Sequence, residues 1–150
     1  MKHALSVPRA SGAYSGATFV CLGIGSLGFM IGLWNATMEL NEKGYYFTLL
    51  AFGLYAAVSL QKCIRDKVEN IPVSSTFVGL SFLAVGLSLL LLVIGLWNAT
   101  LLLSEKGYYG MSFVLALFSA VTVQKNTRDN TATAGGAAAV FSQTSPGGDD

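Results

Sequence analysis

One histidine, His3, two cysteines, Cys21 and Cys63, and eight acidic side chains are all that the 150 residues offer for acid–base, nucleophilic or metal chemistry. They do not converge. His3 stands in the N-terminal tail, and no carboxylate lies deep inside an apolar run. A catalytic site needs a nucleophile within reach of a base, or several ligands at metal-binding spacing. Neither pattern occurs, and no phosphate-binding loop occurs either, so the sequence predicts no catalytic residue, no cofactor, no metal site and no enzyme. Two cysteines cannot make a disulfide framework, and both fall in or beside apolar stretches, where a thiol is a small packing group.

The polar residues that call for an explanation are Asn35 and Asn98, just inside long apolar runs. An unpaired amide there is costly. Each is expected to hydrogen-bond across a helix interface; as a polar pair near one axis, the two could also line a small pathway. Both open an Asn-Ala-Thr glycosylation sequon, discounted because it lies too close to the apolar segment. Around them stand Trp34, Tyr45 and Tyr46, and again Trp97, Tyr108 and Tyr109. Rings of this kind at one level are expected to be membrane-interface anchors, with an aromatic ligand cage as the alternative.

The doubling of that constellation is a repeat. Residues 31–66 align with 94–129 at a constant offset of 63, without a gap, and 20 of the 36 positions are identical. Shared blocks are Ile-Gly-Leu-Trp-Asn-Ala-Thr (31–37, 94–100), Glu-Lys-Gly-Tyr-Tyr (42–46, 105–109) and Gln-Lys-x-x-Arg-Asp (61–66, 124–129). Glu39 corresponds to Leu102, Cys21 to Ala84 and Cys63 to Asn126, so the repeated design requires neither that acid nor a thiol.

Each copy holds two uncharged stretches parted by a short polar turn: 17–38 and 44–61, then 71–104 and 107–124. About 20 helical residues rise roughly 30 Å, the thickness of a bilayer's hydrocarbon core. A water-soluble four-helix bundle would need a charged face on every helix, and here only 11% of residues are charged, all near segment ends. The predicted fold is therefore an all-α membrane protein of four transmembrane helices, from two tandem parallel helical-hairpin repeats. Its parts are an N-terminal tail (1–16), a first hairpin (17–66), a linker (67–76), a second hairpin (77–129) and a disordered tail rich in Thr, Ala, Gly and Ser (130–150). The first apolar run is too long for a signal peptide and lacks a clear cleavage site, so it is expected to be retained as a helix.

Lys2, Arg9, Lys62, Arg65, Lys67, Lys125 and Arg128 fall on the tails and linker, and only Lys43 and Lys106 on the turns. Seven against two predicts both termini in the cytoplasm. An even number of spans per copy then relates the halves by an approximate two-fold axis along the membrane normal. Asn41 and Ser104 are suited to cap the helix after each turn, with Glu42 and Glu105 in its first turn, where the helix dipole favours an anion. Gly44 and Gly107 could instead end the helix before. Lys62 and Asp66 have ion-pair spacing. Close helix packing is expected at Gly28 and Gly32, at Gly53 and Ala57, and at their counterparts Ala116 and Ala120.

The shared core resembles the YiaA/YiaB family of small bacterial inner-membrane proteins, in its two-copy form. Gly-Leu-Trp-Asn-Ala, Glu-Lys-Gly-Tyr-Tyr and Gln-Lys-x-x-Arg-Asp carry the resemblance, each twice, over roughly residues 17–130. It implies a four-span inner-membrane protein and brings no activity or catalytic residues with it. The function expected is a structural or accessory membrane component, in contact with the lipid bilayer and with copies of itself or other membrane subunits. A small-solute or ion transporter or channel, acting as an oligomer, is the alternative. Transporters usually keep an ionisable residue inside the membrane, and none is present. Nucleic acid is excluded as a partner, because no basic face exists.

Overall fold

The computed structural model describes residues 11–144, with side chains through residue 136. Four helices follow one another: α1 (Gly12–Asn35), α2 (Leu40–Val68), α3 (Ser75–Asn98) and α4 (Leu103–Thr144). All four are long and apolar enough to cross a membrane. Their outward faces carry large apolar side chains, among them Ile24 and Leu27 on α1, Leu83 and Val93 on α3, and Phe118 on α4. A surface of that kind suits lipid rather than water.

The helix limits have local causes. Ser11 Oγ accepts the Tyr14 N–H at 3.2 Å, a serine N-cap that starts α1 at Gly12, ahead of the expected Ala17. Both first-of-hairpin helices stop in the same way, with Ala36 (φ −67°, ψ 143°) and Ala99 (φ −66°, ψ 143°) extended. The end of α2 is a Schellman motif: Asn70 sits at φ 56°, while the Ile71 N–H reaches Asp66 O and the Asn70 N–H reaches Lys67 O. Asparagine is one of the few side chains that tolerates the left-handed region. At the far end, α4 does not stop at residue 129 as expected but continues to Thr144. The segment that composition marks as disordered contains Ala132, Ala134, Ala137, Ala138 and Ala139, and alanine is the strongest helix former. The last six residues lie outside the described part, as do Lys2, His3 and Arg9.

Helix pairing runs between the repeats. α1 lies along α4, α2 lies along α3, and α2 meets α4, whereas the two helices within either hairpin touch only sparsely. The inner pair, α2 and α4, runs parallel about the pseudo-two-fold axis, and α1 and α3 flank it on opposite sides. Phe29, Leu33, Tyr46, Leu49, Leu50, Leu92, Tyr109, Phe113 and Leu117 form the core. Where the axis passes, Tyr46 and Tyr109 stack at 6.2 Å with 19° between their planes. Phe29 packs edge-on to Tyr109 at 5.4 Å.

Candidate functional site: paired clefts at the turn end

Each four-residue turn is closed by its own charged residues. Glu42 Oε2 accepts the Glu39 N–H at 3.0 Å, and Glu105 Oε2 accepts the Leu102 N–H at 2.9 Å. These are the reciprocal half of a capping box, which makes Glu39 and Leu102 the boundary residues. Asn41 and Ser104, expected as caps, are the second residues of α2 and α4. Lys43 Nζ donates to Trp34 O at 3.1 Å and Lys106 Nζ to Trp97 O at 3.3 Å. A cation at the carboxyl end of α1 or α3 answers both the open carbonyls and the helix dipole. Gly44 and Gly107 end nothing; a Cβ at either would meet open space.

Tyrosines then bind one repeat to the other. Tyr45 Oη donates to Leu91 O at 2.6 Å, and Tyr108 Oη donates to Gly28 O at 2.5 Å, the same bond at equivalent positions. The rings fit because Gly32 and Gly95 leave room: a Cβ at Gly32 would stand 2.7 Å from Tyr108 Cε1, and one at Gly95 2.8 Å from Tyr45 Cε1. Gly28 faces the Tyr108 hydroxyl, so the Gly28–Gly32 pair receives side chains rather than a helix backbone.

Two open clefts result. The first, about 330 Å³, lies between Gly32, Asn35 and Ala36 of the α1 end and Ser104, Glu105, Tyr108 and Tyr109 of the α4 start. The second, about 250 Å³, lies between Gly95, Asn98 and Ala99 of the α3 end and Asn41, Glu42, Tyr45 and Tyr46 of the α2 start. At the offset of 63 the linings correspond position for position, with Ser104 against Asn41 the one difference.

Within this frame several expectations change. Asn35 Nδ2 and Asn98 Nδ2 donate to Ile31 O and Ile94 O, each at 2.8 Å. Neither crosses an interface, and neither meets the axis, because the last turn of its own helix offers a closer carbonyl. Trp34 and Trp97 point outward, 85% and 83% exposed. Tyr46 and Tyr109, expected beside them as anchors, are instead buried at the axis. They lie one residue, about 100° of helix rotation, past the interfacial Tyr45 and Tyr108.

The remaining packing positions lie at the helix contacts. A Cβ at Gly53 would touch Phe113, Ala116 lies against Gly25, and Ala57 and Ala120 are buried. Gly25, which sequence reading did not single out, is the described glycine that meets another helix's backbone: a Cβ there would stand 2.7 Å from Ala116 N. Ser88, its counterpart, is wholly buried.

A second missed feature lies toward the opposite end. Cys63 Sγ and Ser81 Oγ are 3.4 Å apart, and Asn126 Nδ2 donates to Thr18 Oγ1 at 3.4 Å. These are equivalent pairs, one joining α2 to α3 and the other α4 to α1. Extending the repeat offset upstream of Ile31, so that Thr18 meets Ser81, is the signal that exposes them. Where the end of α2 lies against residues 128–129 of α4, Arg65 bridges Glu69 (2.6 Å) and Asp129 (3.9 Å), and Arg128 bridges Glu69 (3.7 Å). The expected Lys62–Asp66 pair is absent among the described residues, whose ion pairs involve Arg65 and Arg128 instead. The Arg65 hydrogen bond holds the Glu69 carboxyl below its ordinary value. Among the described residues no cluster of His, Cys, Asp or Glu is arranged to hold a metal.

Fold and clefts define a class: a multi-pass membrane protein made of two copies of a helical hairpin that exchange helix partners. The profile of the yiaA/B two-helix domain matches residues 14–66 and again 77–129, and the chain belongs to the YiaA/YiaB family. The inner membrane protein YiaA of Escherichia coli (strain K12) is 53% identical over 119 residues, covering 79% of this chain and 82% of that protein. A membrane protein of Bacillus subtilis (strain 168), YubF, is 46% identical over 43 residues, 28% of this chain and 49% of its own length. No solved structure matches. The chain is a small multi-pass protein of the inner membrane, surrounded by lipid bilayer.

Proposed function

We propose that the protein is a non-catalytic structural or accessory component of the inner membrane, associating with itself or with other membrane subunits. One observation carries this reading. Several polar side chains of the spans answer the chain's own backbone, as in Ser81 to Phe77 O, Ser88 to Val85 O and Thr122 to Phe118 O, and among the described residues only Gln124 Oε1 and Asn130 Oδ1 are buried without a partner. The axis itself is filled by the stacked Tyr46 and Tyr109. What remains on the outside is apolar surface, suited to lipid and to other helices. The transport alternative drew on Asn35 and Asn98 facing a common axis, an arrangement they do not adopt.

Both termini and the α2–α3 linker are assigned to the cytoplasm, on the seven-to-two division of Lys and Arg. Asn70→Cys and Ser104→Cys, made singly in a chain with Cys21 and Cys63 replaced by Ser, test this. Reagent that cannot cross the membrane should label Ser104→Cys and not Asn70→Cys in cells with a permeable outer envelope; the reverse pattern overturns the orientation. For the role itself, the chain is released from its own membranes in mild detergent and weighed by native mass spectrometry. A homo-oligomer or a protein partner at fixed stoichiometry supports an accessory role. A monomer that carries solute across reconstituted vesicles overturns it.

A further inference from the structure

We infer that each turn cleft holds the ammonium group of an organic amine, one per cleft and two per chain. This goes beyond the structural role proposed above and stands or falls separately from it.

The argument begins with charge. Glu105 and Glu42 line the clefts and use Oε2 on the first turn of their own helices. Neither enters an ion pair among the described residues; all three such pairs lie at the other end of the bundle. The lysines of the turns do not neutralise them. Lys43 and Lys106 are fastened to Trp34 O and Trp97 O, and neither lines a cleft. Each cleft therefore keeps one carboxylate without a basic partner.

The other lining groups add acceptors to that charge. Asn35 and Asn98 each spend one amide N–H on their own helices, which leaves the carbonyl oxygen and the second N–H for a ligand. The carboxyl ends of α1 and α3 reach the clefts at Ala36 and Ala99 and contribute the negative end of the helix dipole. The positive starts of α4 and α2 are already answered by the same glutamates. Tyr45 and Tyr108 have their hydroxyls engaged on Leu91 O and Gly28 O, so they offer rings rather than donors, and rings attract cations. Each cleft also holds side-chain donors, the Ser104 hydroxyl or the Asn41 amide among them, so it is the carboxylate without a basic partner, next to acceptors and π surface, that favours an ammonium over an anion.

A hard divalent cation demands more: six or more oxygens, commonly several carboxylates, where each cleft supplies one. Volumes of about 330 and 250 Å³ admit a small headgroup and not a whole lipid, whose chains would run down the apolar outer surface. The clefts open beside Trp34 and Trp97, at the level where headgroups lie. Two sources share this chemistry, an amine-bearing lipid headgroup and a soluble amine.

The test uses the full chain in mild detergent, weighed by native mass spectrometry with equimolar phosphatidylethanolamine and phosphatidylglycerol of matched acyl chains. Up to two phosphatidylethanolamines should remain bound per chain, about tenfold preferred, the ratio that roughly 1.4 kcal/mol of ammonium recognition supplies. Glu42→Gln with Glu105→Gln should remove the preference, and each single change should leave one site. Glutamine keeps the capping acceptor, so helix content by circular dichroism should hold. Equal retention of the two lipids by the unmodified chain, together with no bound spermidine in lipid-free detergent, overturns the inference without any variant. A preference that persists in the double variant overturns it too. Spermidine supplied in lipid-free detergent separates the sources: two bound per chain and lost in the double variant, with no lipid preference, assigns the clefts to a soluble amine.

Discussion

At the scale of single residues, closeness of approach decides what each small side chain contributes. Gly25 faces the Ala116 backbone, which cannot give way, so Gly25→Val should cost about 1–3 kcal/mol, in the range of overpacked cores. Unfolding of the detergent-solubilised protein in graded sodium dodecyl sulfate measures it. Gly44→Ala places its Cβ in open space and should leave that midpoint unchanged or raise it slightly, by up to about 1 kcal/mol of helix propensity. Tyr45→Phe and Tyr108→Phe each delete one inter-repeat hydrogen bond. Each should cost roughly 0.6 kcal/mol, the average for such bonds in membranes, and the equality of the two losses is the sharper check. Glycine spacing alone could not rank these positions. Gly28 and Gly32 have the familiar four-residue separation, yet they accommodate tyrosine rings, while Gly25 makes the backbone contact. Which glycine meets which partner depends on the rotation of α1 against α4, and the sequence of α1 does not contain that angle.

Helices were the most legible level. Four apolar stretches of bilayer length, with turns at Asn41 and Ser104 and charges at the ends, fixed their number and type. Their limits were less legible, since caps formed by Ser11 at α1 and Glu42 at α2 compete with propensity over a few residues. The extension of α4 through an alanine-containing tail shows helix formation prevailing over a composition that reads as loop. The end of α2 carries a pH-dependent contact. Glu69 is held in its charged form by Arg65, so its carboxyl titrates below the ordinary 4.5. A depressed carboxyl contributes stability above its ordinary value and loses it as pH falls through the lowered one. Backbone amide exchange over residues 62–69 should therefore speed up on acidification below 4.5, beyond the intrinsic pH effect. Glu69→Gln should exchange faster at neutral pH and lose that extra acceleration.

For the whole molecule, the repeat announced two hairpins and a parallel pseudo-two-fold axis but not who packs with whom. Hairpin helices joined by a four-residue turn are ordinarily each other's nearest neighbours, whereas here α1 lies on α4 and α3 on α2. The clefts, assembled from one helix end of each copy, were invisible for the same reason, although every residue lining them was in plain view. A hairpin alone lacks its main partners. A chain cut between Asn70 and Ile71 and supplied as two co-expressed pieces should therefore reassemble, so that a tag on one half retains the other through purification, while either half expressed singly is degraded. Survival of a single half as a stable monomer would contradict the exchanged pairing.

The linker from Glu69 to Ser74 is only six residues long. Two hairpins on so short a tether meet at an effective concentration on the order of millimolar, whatever the abundance of the protein. Their mutual affinity can be weak and the pair still forms. Opposite halves can therefore diverge at matched contacts, as Gly28 has from Leu91 and Cys63 from Asn126, without the fold coming apart. Freed from self-complementarity, one cleft can change its ligand while the other keeps it.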